Sequence, residues 1–68
     1  MNVQTKIGKN LKKARLKAKL TQKRVAELAD LHVNYYARVE RDEENPSLEI
    51  LKKLTKILKV KSSDILPF

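Results

Sequence analysis

Two side chains near the middle of the chain are of the types that recognise the edges of nucleic-acid bases. Asn34 and Arg38 are four residues apart in a stretch where Tyr36 and Val39 follow helical spacing with Leu31. Residues four apart share one face of a helix, so both side chains would project together. Asparagine makes paired hydrogen bonds to adenine, and arginine makes them to guanine. The alternative is an ordinary solvated helix face.

The elements around this pair favour the nucleic-acid interpretation. Thr21 is a good N-cap for a helix of residues 22–29, and a three-residue break at 30–32 separates it from a third helix of residues 33–41. A second helix held across a first by such a short break can enter the major groove of DNA. The segment therefore predicts a DNA-binding unit with residues 33–41 as its recognition helix.

The rest of the chain predicts three more helices and no strand. A first helix runs from Val3 to Ala18, with an apolar face of Val3, Ile7, Leu11, Ala14 and Ala18. A fourth helix of residues 48–58 is capped by Ser47, and its core stripe consists of Leu48, Leu51, Leu54 and Leu58. A short fifth helix is capped by Ser62 and extends through Leu66. The sequence thus predicts one all-α, five-helix domain over residues 1–68.

Charge is distributed unevenly along the chain. Sixteen Lys and Arg against eight Asp and Glu give a net charge of +8. Residues 1–24 contain nine basic groups and no acid, whereas residues 25–51 contain seven acids and two basic groups. Such an excess favours a polyanion partner, because each neutralised phosphate releases counterions. A solubilising lysine surface is the alternative.

The first turn of the second helix carries cations where the helix dipole favours anions. Gln22, Lys23 and Arg24 precede the first acid, Glu27. A phosphate at this N-terminus would accept the backbone N–H groups and contact Lys23, which makes sense of the arrangement. Simple surface placement of the cations is the other interpretation.

Composition excludes several other classes of protein. There is no cysteine and one histidine, so a disulfide framework and a thiolate zinc site are excluded, and we expect no metal, cofactor or small-molecule ligand. An enzyme is disfavoured because the chain has no glycine loop and no convergent acid pair. No apolar run is long enough to span a membrane, and we see no apolar h-region of the kind that a signal peptide contains. We expect a cytoplasmic protein.

The sequence resembles a known family over residues 7 to 66. It is similar to the Cro and phage-repressor type of helix-turn-helix domain, the XRE family, and to the controller proteins of restriction–modification systems. The motifs that carry the resemblance are Arg15, Thr21-Gln22, Val25-Ala26, Val39-Glu40-Arg41, Asn45-Pro46-Ser47-Leu48, the leucines at 51, 54 and 58, and residues 60–66. The run His32-Val33-Asn34-Tyr35-Tyr36 resembles the controller proteins in particular. The resemblance implies a compact lambda-repressor-like fold and a sequence-specific regulator of transcription.

The resemblance also implies a role for individual positions. Base reading falls on Val33, Asn34 and Arg38. Contacts to the DNA backbone fall on Gln22, His32, Tyr35, Asn45 and Ser47. Arg15 and Glu40 match an ion pair that is structural and makes no contact with DNA. The family often has glycine where this chain has Lys19, Asp30 and Asp42, so Lys19 should be strained or the first helix should end differently.

Family members bind near-palindromic sites as two-fold dimers, so the resemblance implies a homodimer. Apolar residues outside the main stripes are candidates for its interface, namely Ile50, Ile57, Leu66 and Phe68. The alternative is that some of these residues complete the core. Two alternatives stay open. One is an antitoxin that pairs with a toxin protein and represses its own operon, and the other is a membrane-active peptide built on the basic amphipathic helix of residues 5–20.

Overall fold

A computed structural model describes the backbone of residues 4–66 and the side chains of residues 7–66. All regular structure in that range is helical, as predicted. The helices are α1 (Gln4–Lys17), α2 (Gln22–Ala29), α3 (Val33–Glu40), α4 (Leu48–Leu58) and α5 (Ser62–Ile65). Within the same range, no helix combines the length and the apolar character that crossing a bilayer requires.

Side-chain caps account for most of the helix starts. The Thr21 hydroxyl accepts a hydrogen bond from the Arg24 N–H at 3.0 Å, and the Ser47 hydroxyl accepts one from the Ile50 N–H at 3.2 Å. The predicted cap of the fifth helix was wrong by one residue. Lys61 is the N-cap and Ser62 is the first helical residue, because the Asp64 carboxylate accepts the Lys61 N–H at 2.9 Å and closes the turn one residue earlier.

Ten apolar residues drawn from all five helices form the core. They are Leu11, Val25, Ala26, Ala29, Tyr36, Val39, Leu51, Leu54, Leu58 and Ile65. Helix α2 packs against α3 and α4, and α1 packs against α3 and α5. Because α3 contacts the core through Tyr36 and Val39, its opposite face is directed away from the core.

Among the described residues that were assigned to apolar stripes, two lie on the surface, and Val3 lies outside the described residues. Ala18 is exposed because α1 ends at Lys17 and the chain then turns away from the core. Leu48 is 62% exposed, because it is the first residue of α4 and the helix reaches the core only one turn later, at Leu51. The apolar face of α4 is therefore shorter than predicted, and a large hydrophobic side chain stays in contact with solvent.

A residue in the left-handed conformation occupies the turn after each of α1, α2, α3 and α4. Lys19 has φ 60°, Asp30 φ 58° and Asp42 φ 60°, and these are the three positions at which the resemblance led us to expect a left-handed turn residue. Lys59, which the sequence analysis did not single out, has φ 57° and ends α4 in the same way. Lysine has no short polar group to stabilise this conformation, so Lys19 and Lys59 carry more backbone strain than the two aspartates.

A buried ion pair joins α1 to α3. The Arg15 Nε donates to the Glu40 Oε2 at 2.6 Å and Nη2 donates to Oε1 at 3.2 Å, while Nη1 donates to the Leu20 carbonyl at 2.9 Å. The side chains of Arg15 and Glu40 are only 10% and 2% exposed. Burial opposes ionisation of Glu40, but the hydrogen bonds from Arg15 and Gln22 outweigh it and hold the pKa of the carboxyl below its ordinary value.

Gly8 permits α1 to approach the end of α3 at backbone distance. A Cβ at this position would lie 2.4 Å from the Glu40 carbonyl oxygen and 2.7 Å from that of Val39. The Gly8 N–H also donates to the Asp42 carboxylate at 3.1 Å. The two helices can therefore meet closely enough for the Arg15–Glu40 pair to form only if position 8 has no side chain.

We expect Gly8→Ala to destabilise the domain. Alanine normally stabilises a helix relative to glycine by about 1 kcal/mol, but here the added methyl group would push α1 away from α3 at a cost of roughly 1–3 kcal/mol, which leaves a net loss of up to about 2 kcal/mol. Urea denaturation should show a lower free energy of unfolding. Lys12→Ala, at an exposed position of α1, is the control and should be near neutral. A more stable Gly8→Ala variant would contradict the close approach.

We expect Glu40→Ala to lower the free energy of unfolding by about 3–5 kcal/mol, since it leaves a buried guanidinium without its partner. The stabilisation from ionised Glu40 is complete above the ordinary pKa of 4.5 and is lost as pH falls through the lowered pKa of the folded state. The free energies of unfolding of the wild type and of Glu40→Gln, measured by urea denaturation, should therefore converge as the pH falls. If Glu40→Ala unfolds like the wild type but no longer binds DNA, Glu40 is a DNA contact and not a structural residue.

Candidate nucleic-acid interface

Helices α2 and α3 are joined by the tight turn of a helix-turn-helix unit. Asp30 ends α2 in the left-handed conformation, and the Leu31 N–H donates to the Ala26 carbonyl at 2.8 Å. His32 then begins α3 as its N-cap, where Nδ1 accepts the Asn34 N–H at 3.2 Å. An accepting Nδ1 requires the imidazole proton on Nε2, so Nε2 remains as an outward donor.

The proposed base-reading residues lie on the outer side of α3. Val33 is 36% exposed and Asn34 is exposed, both in the first turn of the helix. Arg38 is half-buried one turn further on, and its Nε donates to the Glu44 Oε2 at 3.3 Å. The structure therefore presents Val33 and Asn34 at the start of α3, whereas Arg38 is held in an ion pair.

The residues predicted to contact the DNA backbone lie at the start of α2, at the start of α3 and in the loop before α4. Lys23, His32, Asn45 and Ser47 are exposed, whereas Gln22 and Tyr35 are half-buried. The Gln22 Nε2 donates to the Glu40 Oε1 at 2.9 Å, so this side chain links α2 to the buried ion pair. The Ser47 hydroxyl accepts a hydrogen bond as the cap of α4 and retains its proton for an anion.

The N-terminus of α2 is suited to an anion. Its first turn contains no acidic residue, and Lys23 and Arg24 are both exposed there. Thr21 accepts one of the first N–H groups, and the first N–H groups of a helix have no acceptor within the helix itself. Backbone N–H groups, the helix dipole and two cations together favour a phosphate at this position.

The pairing of the acidic segment after α3 with nearby arginines was not recognised from sequence. Asp42, Glu43 and Glu44 follow the recognition helix directly, and two of them pair with arginines of α3 and its C-cap. Arg41 binds Glu43 through Nε and Nη2, both at 3.2 Å, and this lowers the pKa of the Glu43 carboxyl. The signal that could have revealed it is the run of three acids within six residues of Arg38.

The predicted interface residues occupy different surroundings. Ile50, Ile57 and Leu66 are half-buried and pack against the core, while Phe68 lies outside the described residues. An apolar groove of about 150 Å³ lies between α4 and α5. It is lined by Leu48, Leu51, Lys52, Thr55, Ser62, Ile65 and Leu66. The exposed Leu48 thus continues the surface on which Leu66 lies.

Comparison with known proteins agrees with this geometry. The model of the helix-turn-helix family matches residues 11–65. The control protein C.BamHI of Bacillus amyloliquefaciens is 34% identical over 98% of the chain, which spans 84% of that protein. The immunity repressor of Bacillus phage phi105 is 41% identical over 87% of the chain, and the regulator ImmR of Bacillus subtilis is 38% identical over 88%. The chain spans less than half of those two longer proteins, 41% and 47%.

Solved structures with the same fold include two bacterial regulators. The restriction-modification controller protein C.AhdI from Aeromonas hydrophila superposes with a TM-score of 0.86 at 31% identity, covering 91% of this chain and 94% of C.AhdI. The clp gene regulator ClgR from C. glutamicum superposes with a TM-score of 0.88 at 22% identity, covering 96% and 84%, and shows the fold alone. The chain belongs to the XRE-type helix-turn-helix family of DNA-binding transcriptional regulators.

Proposed function

We propose that the protein inserts α3 into the major groove of an operator and reads bases with Val33, Asn34 and Arg38. The observation that carries the proposal is the exposure of Val33 and Asn34 at the start of a helix whose other face is fixed in the core. Asn34 is suited to adenine and Arg38 to guanine, and Val33 offers an apolar contact such as that to a thymine methyl.

Contacts to phosphates would set the position of α3 in the groove. Gln22 and Lys23 at the start of α2 would bind one phosphate, together with the backbone N–H groups there. His32 and Tyr35 would contact the backbone beside α3, and Asn45 and Ser47 would do so from the loop before α4. These contacts carry affinity and orientation but little sequence information.

We propose further that two copies bind a near-palindromic operator as a homodimer. One recognition helix reads few base pairs, and two-fold dimers of this motif read half-sites about 34 Å apart. The surface that supports the proposal is the apolar groove between α4 and α5, with the exposed Leu48 at its edge and Leu66 in its lining. Ile50, Ile57 and Phe68 are the other candidates for the interface.

The names of the relatives favour a regulator over the antitoxin alternative. Those reported above are a control protein, an immunity repressor and transcriptional regulators.

Selection of bound duplexes from a random DNA library, at near-physiological salt, tests the proposal as a whole. The expected product is an inverted repeat with half-sites about one helical turn apart. Enrichment of a single, non-repeated half-site would contradict the homodimer. Binding without any enrichment would contradict base reading, because the positive charge alone would then account for the affinity.

Arg38→Ala should weaken binding to the selected site by roughly 1–3 kcal/mol and relax the choice of base at one position of each half-site. The loss arises because a paired contact to a guanine edge disappears while the phosphate contacts remain. Fluorescence anisotropy with the selected duplex and its single-base variants measures both effects. An equal loss on every duplex would assign Arg38 to phosphate contact instead.

Lys23→Ala should weaken binding to all duplexes alike, with no change in base preference. Removal of one phosphate contact should reduce the slope of log K against log salt concentration by about one unit. Titrations at several salt concentrations measure the slope. Lys12→Ala, which removes a lysine of α1, is the matched control, and an unchanged slope for Lys23→Ala would show that Lys23 does not contact a phosphate.

Leu48→Lys should weaken dimerisation without unfolding the domain, since Leu48 is exposed and contributes little to the core. Sedimentation velocity over a range of protein concentrations should show a higher dimer dissociation constant than for the wild type. Leu28→Lys is the control, because Leu28 is also an exposed leucine but lies on α2. Equal dimerisation of wild type and Leu48→Lys would place the interface elsewhere.

A further inference from the structure

Two ion pairs at the C-terminal end of α3 differ in how many guanidinium nitrogens of the arginine bind the carboxylate. Arg41 meets Glu43 with Nε and Nη2, both at 3.2 Å, so that two nitrogens are engaged by the carboxylate. Arg38 meets Glu44 with Nε alone, at 3.3 Å. Within the part of the chain that the structure describes, Nη1 and Nη2 of Arg38 make no hydrogen bond.

The two terminal nitrogens of a guanidinium can donate together to O6 and N7 of one guanine. A carboxylate that binds Nε leaves this pair of donors available and restricts the rotation of the arginine side chain. Arg38 and Glu44 are about equally exposed, 42% and 40%, so the pair lies at the surface, and Arg38 belongs to the helix that would enter the groove in the proposed function.

We infer that Glu44 is a positioning residue for base recognition, which holds Arg38 by Nε so that its two terminal nitrogens face a guanine. The inference rests on the proposed function, in which Arg38 reads a base. Because Glu44 pairs directly with Arg38 at 3.3 Å, its negative charge also opposes a phosphate at the position of Arg38. Both effects favour a guanine over a phosphate as the partner of Arg38.

A simple electrostatic role for Glu44 predicts a different result. An acid beside DNA repels every phosphate, so its removal should tighten binding to all sequences by one factor. A positioning role predicts that its removal reduces the preference between sequences. If the exposed ion pair contributes about 0.4–1 kcal/mol to the preference for guanine, its loss should reduce that preference about 2- to 5-fold.

The test compares Glu44→Ala with Glu43→Ala in the full-length chain. Each variant removes one carboxylate from the same loop, but Glu43 pairs with Arg41, which has no base-reading role in the proposal. The probes are the duplex selected by the wild type and three duplexes altered at the base pair assigned to Arg38. Circular dichroism during heating verifies that both variants fold.

For Glu44→Ala we expect the preference for guanine at that base pair to fall about 2- to 5-fold, whereas Glu43→Ala should keep the wild-type preference. In an Arg38→Ala background, Glu44→Ala should change the preference no further. The inference is overturned if Glu44→Ala tightens binding to all four duplexes by one factor, or if it changes the preference equally in the absence of Arg38.

Failure of this inference can be told apart from failure of the proposed function. If Arg38→Ala leaves the base preference of the wild type unchanged, Arg38 does not read a base, and both fail. If Arg38→Ala removes the preference and Glu44→Ala retains it in full, the base-reading role holds and Glu44 is not a positioning residue.

Discussion

The buried pair of Arg15 and Glu40 is the constraint on which the rest of the structure depends. Two charges taken out of water are tolerated only if each is matched, and here α1 supplies the arginine while α3 supplies the carboxylate. Gln22 of α2 binds the same carboxylate, so three helices meet at one residue. The orientation of α3 relative to α2 is therefore fixed by hydrogen bonds of defined direction as well as by apolar packing. Gly8 makes the arrangement sterically feasible, because it allows the backbone of α1 to reach the end of α3.

The charges of the protein lie in two groups that the fold keeps apart. Lysines account for most of the positive charge of α1 and α4, and in the proposed function they would add only a general attraction to a polyanion, which is long-ranged and weakened by salt. The region around α3 is acidic in sum, and its two surface arginines are matched by Glu43 and Glu44. A recognition helix without surplus positive charge gains little from an arbitrary stretch of phosphates. Its contribution then depends on the bases that it meets, and this favours discrimination over affinity.

Features governed by neighbours in sequence could be predicted, and features governed by distant contacts could not. The bounds of α2 and α4 follow from Thr21 and Ser47 as caps and from the spacing of apolar residues. The fifth helix was misplaced by one residue because Asp64 closes its turn at Lys61, and Leu48 was misassigned because periodicity does not show where a helix meets its neighbours. The ion pair of Arg15 and Glu40 could be predicted only from the family resemblance, since its partners are 25 residues apart. The contact between Arg38 and Glu44 depends on the path of the loop after α3, which local pattern does not specify.

Mapping the amides that shift when duplex DNA is added tests the central claim most directly. The probe is ¹⁵N-labelled protein titrated with the duplex that it selects, observed by heteronuclear NMR at near-physiological salt. The account predicts that the largest shifts fall on the start of α2, the start of α3 and the loop around Asn45. Shifts at the exposed lysines of α1 (Lys9, Lys12, Lys13 and Lys17) should be small. Shifts concentrated on the lysines of α1, with those at Val33 and Asn34 unchanged, would show that the protein binds DNA by charge alone and that α3 does not enter the groove.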